Sequence, residues 1–275
     1  MKRISLMILF FVTHIIAHPT PSRLHFFVVI PTYHNKEYCL ENIETLASQT
    51  YQDWTAIIVV DGNQKDDDGT GDIVEKYIND HALNDKVIIH RNHKRRGALY
   101  NIYHAIHRHA HDNWVIVLYD GDDFFYTDTA LERIAQEYSE RGEHDTWFTY
   151  GQYINYPDNT PGHCHEFPQK IIRTNNFRSY PWIASHPITF YAWLFKKIHK
   201  KDLQHDGKFF KVAWDVAFMP MLEMASGKHM RFIPDILYAY RHHERNDYNL
   251  HYSSIPKTVK IILGKKRYKP LIDIN

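Results

Sequence analysis

The sequence predicts an α/β fold in which a mostly parallel, doubly wound sheet is flanked by helices. Two observations support this: short apolar runs alternate with amphipathic helical segments, and polar or charged residues follow each run directly. Strands that are joined through one helix normally pair in parallel by right-handed crossovers. Their carboxyl ends then lie at one edge of the sheet, where open α/β sheets bind ligands.

The first half of the chain alternates strands and helices in a regular order. Strands are predicted at residues 25–30, 56–60, 87–90 and 115–119. A helix with one apolar stripe follows each strand. These stripes contain Cys39, Ile43 and Leu46; Ile73, Val74, Tyr77 and Ile78; Leu99, Ile102 and Ile106; and Leu131, Ile134 and Tyr138.

Three acids follow the fourth strand within four positions, at Asp120, Asp122 and Asp123. Burying an isolated charge is costly, so these acids must emerge at the carboxyl end of the strand. Carboxylates this close repel one another unless a cation lies between them, and oxygen ligands suit Mg²⁺ or Mn²⁺. The sequence therefore predicts a divalent cation site here, with a solvated acidic turn as the alternative.

Three other strand ends carry residues suited to a nucleotide. The turn Pro31, Thr32 and Tyr33 follows the first strand, and Asp61 follows the second. Arg95 and Arg96 follow the third strand at a predicted helix N-terminus, which is a favourable place for phosphate. Together these residues describe a nucleotide-diphosphate site, although a turn acid or a basic run alone is often merely solvated.

Residues 25 to about 135 resemble the nucleotide-binding half of family 2 glycosyltransferases, which have the GT-A fold. The matching stretches are Val28–Val29–Ile30–Pro31–Thr32–Tyr33, Leu46–Ala47–Ser48–Gln49–Thr50–Tyr51, Ile58–Val59–Val60–Asp61–Gly62 and Asp120–Gly121–Asp122–Asp123. The last stretch contains the DXD motif. The resemblance implies that Asp61 contacts the base, although Val60 stands where the family usually has a first acid. It also implies that Asp122 and Asp123 hold the ribose and the metal, that Asp120 supports them, and that Arg95 or Arg96 meets the diphosphate.

Residues 146–245 are predicted to form the acceptor-binding half of the same domain, following a nucleotide-sugar-binding half at 25–145. Most of 152–178 has the composition of a loop, part of which we expect to cover the active site. Asp215 is an acid among apolar residues, which fits either a functional acid or a helix N-cap. The resemblance implies that Asp215 is the catalytic base, with Trp214 replacing the acid that usually precedes it. Glu223 is an alternative base, expected to make a surface or capping contact.

These expectations describe a metal-dependent, inverting glycosyltransferase that uses a nucleoside-diphosphate sugar, with a UDP-sugar favoured. The acceptor is a hydroxyl of a glycan, lipid or protein. The Gln-x-x-Arg-Trp sequence of processive synthases does not occur, so transfer of one sugar is expected. Two alternatives are a sugar-phosphate nucleotidyltransferase and a secreted, non-catalytic metal- or glycan-binding protein with the same fold.

Composition and the two ends of the chain indicate which partners and which cellular location to expect. A net charge of +1 gives no support for nucleic-acid binding. Residues 1–17 are predicted to be a signal peptide or signal anchor, which indicates the secretory route or membrane anchoring, with a cytoplasmic protein as the alternative. The basic tail, 246–275, is either a solvated end or a peripheral contact with an anionic membrane. Histidine clusters at His104, His107 and His111 and around Cys164 lack the paired spacing of a zinc site.

Overall fold

The computed structural model describes residues 24–63, 65–139 and 145–271, and the predicted signal or anchor at 1–17 lies outside them. The strands are β1 Phe26–Thr32, β2 Trp54–Val60, β3 Val87–Arg91, β4 Val115–Leu118, β5 Phe124–Phe125, β6 Phe148–Tyr156, β7 Thr160–Pro161, β8 Ile188–Tyr191, β9 Gln204–His205, β10 Lys208–Phe209 and β11 Met230–Arg241. The helices are α1 Cys39–Ala47, α2 Thr70–Asp80, α3 Ala98–His109, α4 Ala130–Ser139, α5 Gln169–Thr174, α6 Ala192–Lys196, α7 Met219–Ala225, α8 Asp247–His251 and α9 Ile255–Leu263. Within these described ranges, every helix is too short or too polar to cross a bilayer.

One curled sheet runs through both halves of the described chain, in the order β3-β2-β1-β4-β8-β6-β11-β5, with β7 paired to β6. The first four strands pair in parallel, as predicted, and β6 pairs with β11 in parallel. β8 is antiparallel to both β4 and β6, and so joins the two parallel groups. The carboxyl ends of β1, β2 and β4 therefore lie at one edge of the sheet, together with the amino end of β8.

The strands of the first half are buried on both faces, as their continuous apolar runs predict. Alternate residues of β1 belong to opposite cores: Phe27 and Val29 pack towards α3, whereas Phe26 and Val28 pack towards the side of α1, α2 and α4. This two-sided burial fixes the register of each strand, because a slip of one residue would exchange the faces. The predicted α/β class with a GT-A arrangement is confirmed.

Gln49, just after the end of α1, is a polar residue whose burial is explained by its hydrogen bonds. Its side chain is fully buried, and its Nε2 donates to the Thr127 carbonyl at 2.8 Å while its Oε1 accepts from the Leu131 backbone N–H at 3.0 Å. Gln49 thus ties the end of α1 to the start of α4. This bridge supports the acid-bearing segment that lies between β4 and α4.

The segment 152–178 is more ordered than the predicted loop. β6 extends to Tyr156, β7 returns against it, and α5 follows. The reason is tertiary: β6 finds partners in β7, β8 and β11, which sequence periodicity alone does not reveal.

The basic tail packs against the acceptor half as far as it is described. Ile262 of α9 is buried, the Leu271 N–H donates to the Met224 carbonyl at 2.9 Å, and the Tyr268 N–H donates to Glu223. Arg178 donates to the carbonyls of Ile262, Leu263 and Lys265. These contacts give the tail a structural role.

Candidate active site

The acid-bearing loop after β4 is held by residues from both halves of the chain. Asn42 of α1 donates through Nδ2 to the carbonyls of Asp120 and Asp123, at 2.9 and 2.8 Å. Gly121 lies so close to β1 that an added Cβ would sit 2.6 Å from the Thr32 side chain, so only glycine fits between the two acids. The loop is therefore rigidly placed on the end of β1.

Asp123 is almost fully buried, with 1% of its surface exposed. The Arg241 backbone N–H donates to its Oδ1 at 2.8 Å, and the Tyr238 hydroxyl donates to its Oδ2 at 2.9 Å. Both donors are neutral. Burial first, and then the neighbouring charges of Asp122 and Asp120, raise the pKa of Asp123 well above its usual range. The carboxylate thus lies where a positive charge would be strongly stabilising.

His186, which precedes β8, completes a possible metal site. Ligand atoms of Asp120, Asp123 and His186 all lie within 4.8 Å of one another. Burial lowers the pKa of His186 to about 4, so its imidazole is neutral at physiological pH, as a metal ligand must be. Its Nδ1 is buried with no partner among the described residues. Two carboxylates and an imidazole form a donor set that suits Mn²⁺, so the residues present fit a divalent cation.

The predicted metal ligand Asp122 is not part of this group. Its Oδ2 accepts a hydrogen bond from His243 Nε2 at 2.9 Å, and its carbonyl accepts one from Arg241 Nε at 2.9 Å. Arg241 also pairs with Glu41 of α1. The family resemblance implied that Asp122 and Asp123 hold the ribose and the metal, but the turn directs the Asp122 side chain towards His243, in the segment after β11. Asp120 and His186 take its place.

A cavity of about 390 Å³ opens at the carboxyl ends of β1 and β2, at the same edge of the sheet as the acid-bearing loop after β4. Tyr33 and Arg95 line it, with the Arg95 guanidinium 4.0 Å from the centre of the Tyr33 ring. Its other lining residues are His34, Gly62, Lys65, Asp66, Asp67 and Asp68. Pro31 and Thr32 are buried beneath it and support the turn. An aromatic face and a cation beside carboxylates give this cavity the chemistry of a nucleotide site, and we name it the donor cavity.

Asp61 lies next to the donor cavity, but its carboxylate already accepts hydrogen bonds from other residues of the protein. It is 3% exposed, and it accepts from Asn92 Nδ2, the Arg96 N–H and the Gly97 N–H at 2.7–2.8 Å. Gly97 has φ of +91°, which favours glycine and turns its N–H towards the carboxylate. Asp61 thus shapes the arginine-bearing loop, and in this conformation its oxygens have three donors before any base arrives.

The two adjacent arginines point to different places. Arg95 lines the donor cavity, whereas the Arg96 guanidinium lies 5.2 Å from the centre of the Tyr100 ring and lines a separate cavity between β3 and α3. The resemblance implied that Arg95 or Arg96 meets the diphosphate, because a loop sequence does not reveal the direction of consecutive side chains. The geometry supports Arg95 for that role.

Asp215 begins a short 3-10 helix, Asp215–Phe218, in the second half. The N-cap position of this helix is Trp214, so the N-cap alternative for Asp215 is not observed. Burial raises the pKa of Asp215, which is what a general base needs in order to work near neutral pH. Its charge acts on His163, whose Nδ1 lies 2.9 Å from the Tyr153 hydroxyl.

Tyr153 connects the two groups of acids. Burial, with negative charge at Cys164, Asp215 and Asp123, raises the pKa of Tyr153 to about 12. Its ring also meets His186 edge to face, with centroids 5.9 Å apart. Asp215 and Asp123 are therefore both close enough to Tyr153 for their charges to raise its pKa, and His163 of the 152–178 segment lies close enough to Asp215 to feel its charge.

Glu223, the alternative base, is a structural residue. It is fully buried in α7 and pairs with Arg178 at 2.6 Å, with Arg267 at 3.5 Å and with the Tyr268 N–H. The expectation of a surface or capping contact was wrong, because the tail folds back over it. Cys164 is likewise buried, and burial raises its pKa to about 12, whereas His163 and His165 on either side of it are exposed.

Several site residues were missed by sequence reasoning, above all His186, Tyr238, Arg241 and Asn42. His186 lies in a stretch rich in large aromatic residues, whose composition is typical of a core. Tyr238 and Arg241 lie 115 or more positions from Asp123, so only the pairing of β11 with β5 brings them there.

A family model described as "Glycosyl transferase family 2" matches residues 27–203, which is more than half of the chain. Similar solved structures include TarS residues 1–349 from S. aureus in complex with UDP, at 16% identity and a TM-score of 0.59, covering 87% of this chain and 64% of that one. The same protein in complex with UDP-GlcNAc gives a TM-score of 0.62.

The mannosyltransferase PcManGT from Pyrobaculum calidifontis, in complex with GDP-Man and Mn²⁺, is also similar, at 16% identity and a TM-score of 0.59. That match covers 90% of this chain and 67% of the other. The chain spans less than two thirds of the TarS chain in its UDP complex. No curated protein sequence matches the chain. At this identity the solved structures establish the fold alone.

Proposed function

Because the chain belongs to glycosyltransferase family 2, we propose that it transfers one sugar from a nucleoside-diphosphate sugar to an acceptor hydroxyl, with inversion and with a divalent cation. The observation that carries this proposal is the group Asp120, Asp123 and His186 beside the donor cavity. The similar structures of TarS and PcManGT hold nucleotides or nucleotide sugars, and one of them holds Mn²⁺. These ligands agree with the chemistry of the cavity.

Asp120, Asp123 and His186 are the residues that would hold the cation. When bound, the cation would offset the negative charge that develops on the departing diphosphate. Tyr238 and the Arg241 backbone hold the Asp123 carboxylate in place, so that it needs no reorganisation when charge develops. The neutral imidazole of His186 offers a nitrogen ligand without adding a competing positive charge.

Tyr33 and Arg95 would bind the nucleotide in the donor cavity. The Arg95 guanidinium, which lies over the Tyr33 ring, can pair with a phosphate oxygen, and the edge of Tyr33 can contact the base. We favour a UDP-sugar, in line with the TarS complexes, whereas the cavity itself carries no unique signal for one base. Asp122, which is hydrogen-bonded to His243, would contact the ribose.

Asp215 would act as the general base. Inverting displacement needs a base on the face opposite the leaving diphosphate, and the metal-site acids occupy the leaving-group side. Asp215 accepts the proton of the acceptor hydroxyl as its oxygen attacks the anomeric carbon and the bond to the diphosphate breaks. The raised pKa of Asp215 makes its carboxylate a stronger base than a solvated one. His163 lies close to Asp215, and burial lowers the pKa of its imidazole, although the charge of Asp215 opposes this shift.

The donor is identified by a thermal-shift screen of UDP, GDP and CDP, each with and without Mn²⁺. Binding to the native state raises the melting temperature, and the rise grows with the excess of ligand over Kd. We expect one nucleoside diphosphate, UDP first, to raise it strongly and only with Mn²⁺. If none of the three changes the melting temperature under any condition, the proposal is wrong. Proton NMR of the product linkage then tests inversion directly.

A further inference from the structure

A second cavity, of about 220 Å³, lies between α3 and the edge strand β3, outside the donor cavity. It exists because α3 covers β2 but leaves the same face of β3 open, so that Ile88 is 44% exposed. Its floor is apolar and consists of Ile57 and Val59. We call this cavity the α3 groove.

The α3 groove is lined by basic side chains from three parts of the chain: His90 and His93 at β3, Arg96 in the following loop, and His104, Arg108 and His109 on α3. No carboxylate is among its described lining residues. Arg91 also reaches it, but Arg91 pairs with Asp67, Asp72 and Glu75 and is offset by them. Arg96 and Arg108 therefore give the groove a positive potential at neutral pH.

The basic residues of the α3 groove shift one another's pKa values. Burial and then the charges of Arg108, Lys200, His107 and Arg96 lower the pKa of His104. Burial, His90 and Arg108 lower the pKa of His109. Cations at the end of α3 are expected from the helix dipole, which accounts for Arg108 and His109. The dipole does not account for His104 in the middle of α3 or for Arg96 before it.

Asn101 provides an independent sign of a ligand. It is 2% exposed and lines the groove, yet its Nδ2 has no hydrogen-bond partner among the described residues. The orientation of its amide is fixed: Asn92 must direct its NH₂ group at the Asp61 carboxylate, and the same NH₂ donates to Asn101 Oδ1 at 2.8 Å. The remaining end of Asn101 is thus a buried donor, and leaving such a group unpaired costs ~1–3 kcal/mol.

We propose that the α3 groove is a second ligand site that binds a phosphate group, either as the free dianion or as a phosphate monoester. A phosphate dianion offers several acceptor oxygens at once, which matches Asn101 Nδ2 and the guanidinium groups of Arg96 and Arg108. The cavity is several times the ~30 Å³ that one water molecule occupies. It therefore has room for a phosphate together with a small substituent, which lies over the apolar floor. The ligand is either free inorganic phosphate or a phosphorylated sugar.

The test measures binding of inorganic phosphate and of glucose 6-phosphate to the full chain by calorimetry, in EDTA so that no cation bridges the ligand to the acids. We expect saturable binding that weakens at least tenfold in Arg108→Gln and in Asn101→Asp. Asn101→Asp keeps the acceptor for Asn92 and replaces the donor by a charge that repels phosphate. Arg108 is exposed, so Arg108→Gln should fold normally even if Asn101→Asp does not.

Two control variants separate the groove from other sites. Arg95→Gln removes the cation of the donor cavity, and Arg173→Gln removes an exposed arginine on α5. Both should bind phosphate as the wild type does. Equal affinity for the two ligands would identify the free ion, and tighter binding of glucose 6-phosphate would identify a sugar phosphate. The proposal is overturned if no saturable binding occurs, or if Arg95→Gln abolishes it while Arg108→Gln does not.

Discussion

Two buried carboxylates, one in each half of the chain, have opposite surroundings. Glu223 is completely buried and meets two arginines, Arg178 and Arg267. Asp123 is 1% exposed, receives hydrogen bonds from neutral donors only, and has two further acids beside it. Equal burial therefore has different consequences. A buried acid with its own cation is structural, whereas a buried acid among acids requires a cation from outside.

Asp215 is the third acid in this comparison, and its replacement has the largest expected effect. Asp215→Asn keeps the shape but cannot accept a proton, so kcat should fall by about 10²–10⁴-fold with nucleotide affinity nearly unchanged. Steady-state kinetics and calorimetry measure the two quantities. Activity within a few-fold of wild type would remove Asp215 as the base.

The ionisation of Asp215 should also determine how kcat decreases at acidic pH. The base works only when deprotonated, and burial raises its pKa. kcat should therefore fall as the pH drops through this raised pKa, at a higher pH than for a solvated aspartate. The residual activity of Asp215→Asn should not show this decrease at acidic pH.

Glu223→Gln tests whether the buried Glu223 has a structural role. Removing one partner of a buried ion pair leaves Arg178 without a compensating charge, which should lower the free energy of unfolding by about 3 kcal/mol. Urea denaturation measures the change. Mn²⁺-dependent nucleotide binding should survive at temperatures where the variant is folded, and its specific loss would mean that Glu223 acts in the site.

His186→Ala tests the ligand that the sequence did not reveal. Losing one of three protein ligands should weaken Mn²⁺ binding at least tenfold, as measured by Mn²⁺ electron paramagnetic resonance. His165→Ala is the matched control, since His165 is exposed and contacts Tyr180. If both variants bind Mn²⁺ as the wild type does, His186 has another role.

Asp123→Asn has the smallest expected effect on stability and the opposite sign to Glu223→Gln. An amide can still accept from the Arg241 N–H and contact Tyr238, while repulsion from Asp120 and Asp122 disappears. The free energy of unfolding in EDTA should therefore rise by about 1 kcal/mol. A decrease in stability comparable to that of Glu223→Gln would abolish the contrast between the two acids.

The sequence predicted the features that depend on local pattern. The strands β1 to β4, their parallel order and the acids at the end of β4 follow from apolar runs and from the cost of burying charge. Because parallel strands share an edge, the sequence alone places Asp61, the acid loop and the arginine-bearing loop together. The match to glycosyltransferase family 2 confirms the resemblance in this region.

The remaining features depend on contacts between distant parts of the chain. Strand β11 brings Tyr238 and the Arg241 N–H to Asp123, and the tail brings Arg267 to Glu223. The hydrophobic periodicity of the sequence does not reveal such contacts. The direction of consecutive loop side chains is equally hidden, so the sequence does not reveal that Arg96 lines a different cavity from Arg95, or that Asp122 lies outside the group of Asp120, Asp123 and His186.

The central claim, that buried acids make donor binding depend on an added cation, is tested most directly by calorimetry of UDP, GDP and CDP. Each nucleotide is titrated into the wild-type chain in EDTA and in Mn²⁺. The account predicts that the nucleotide which binds does so at least a hundredfold more tightly with Mn²⁺, and that Asp123→Asn abolishes this difference. Equal affinity in EDTA and Mn²⁺ would contradict it.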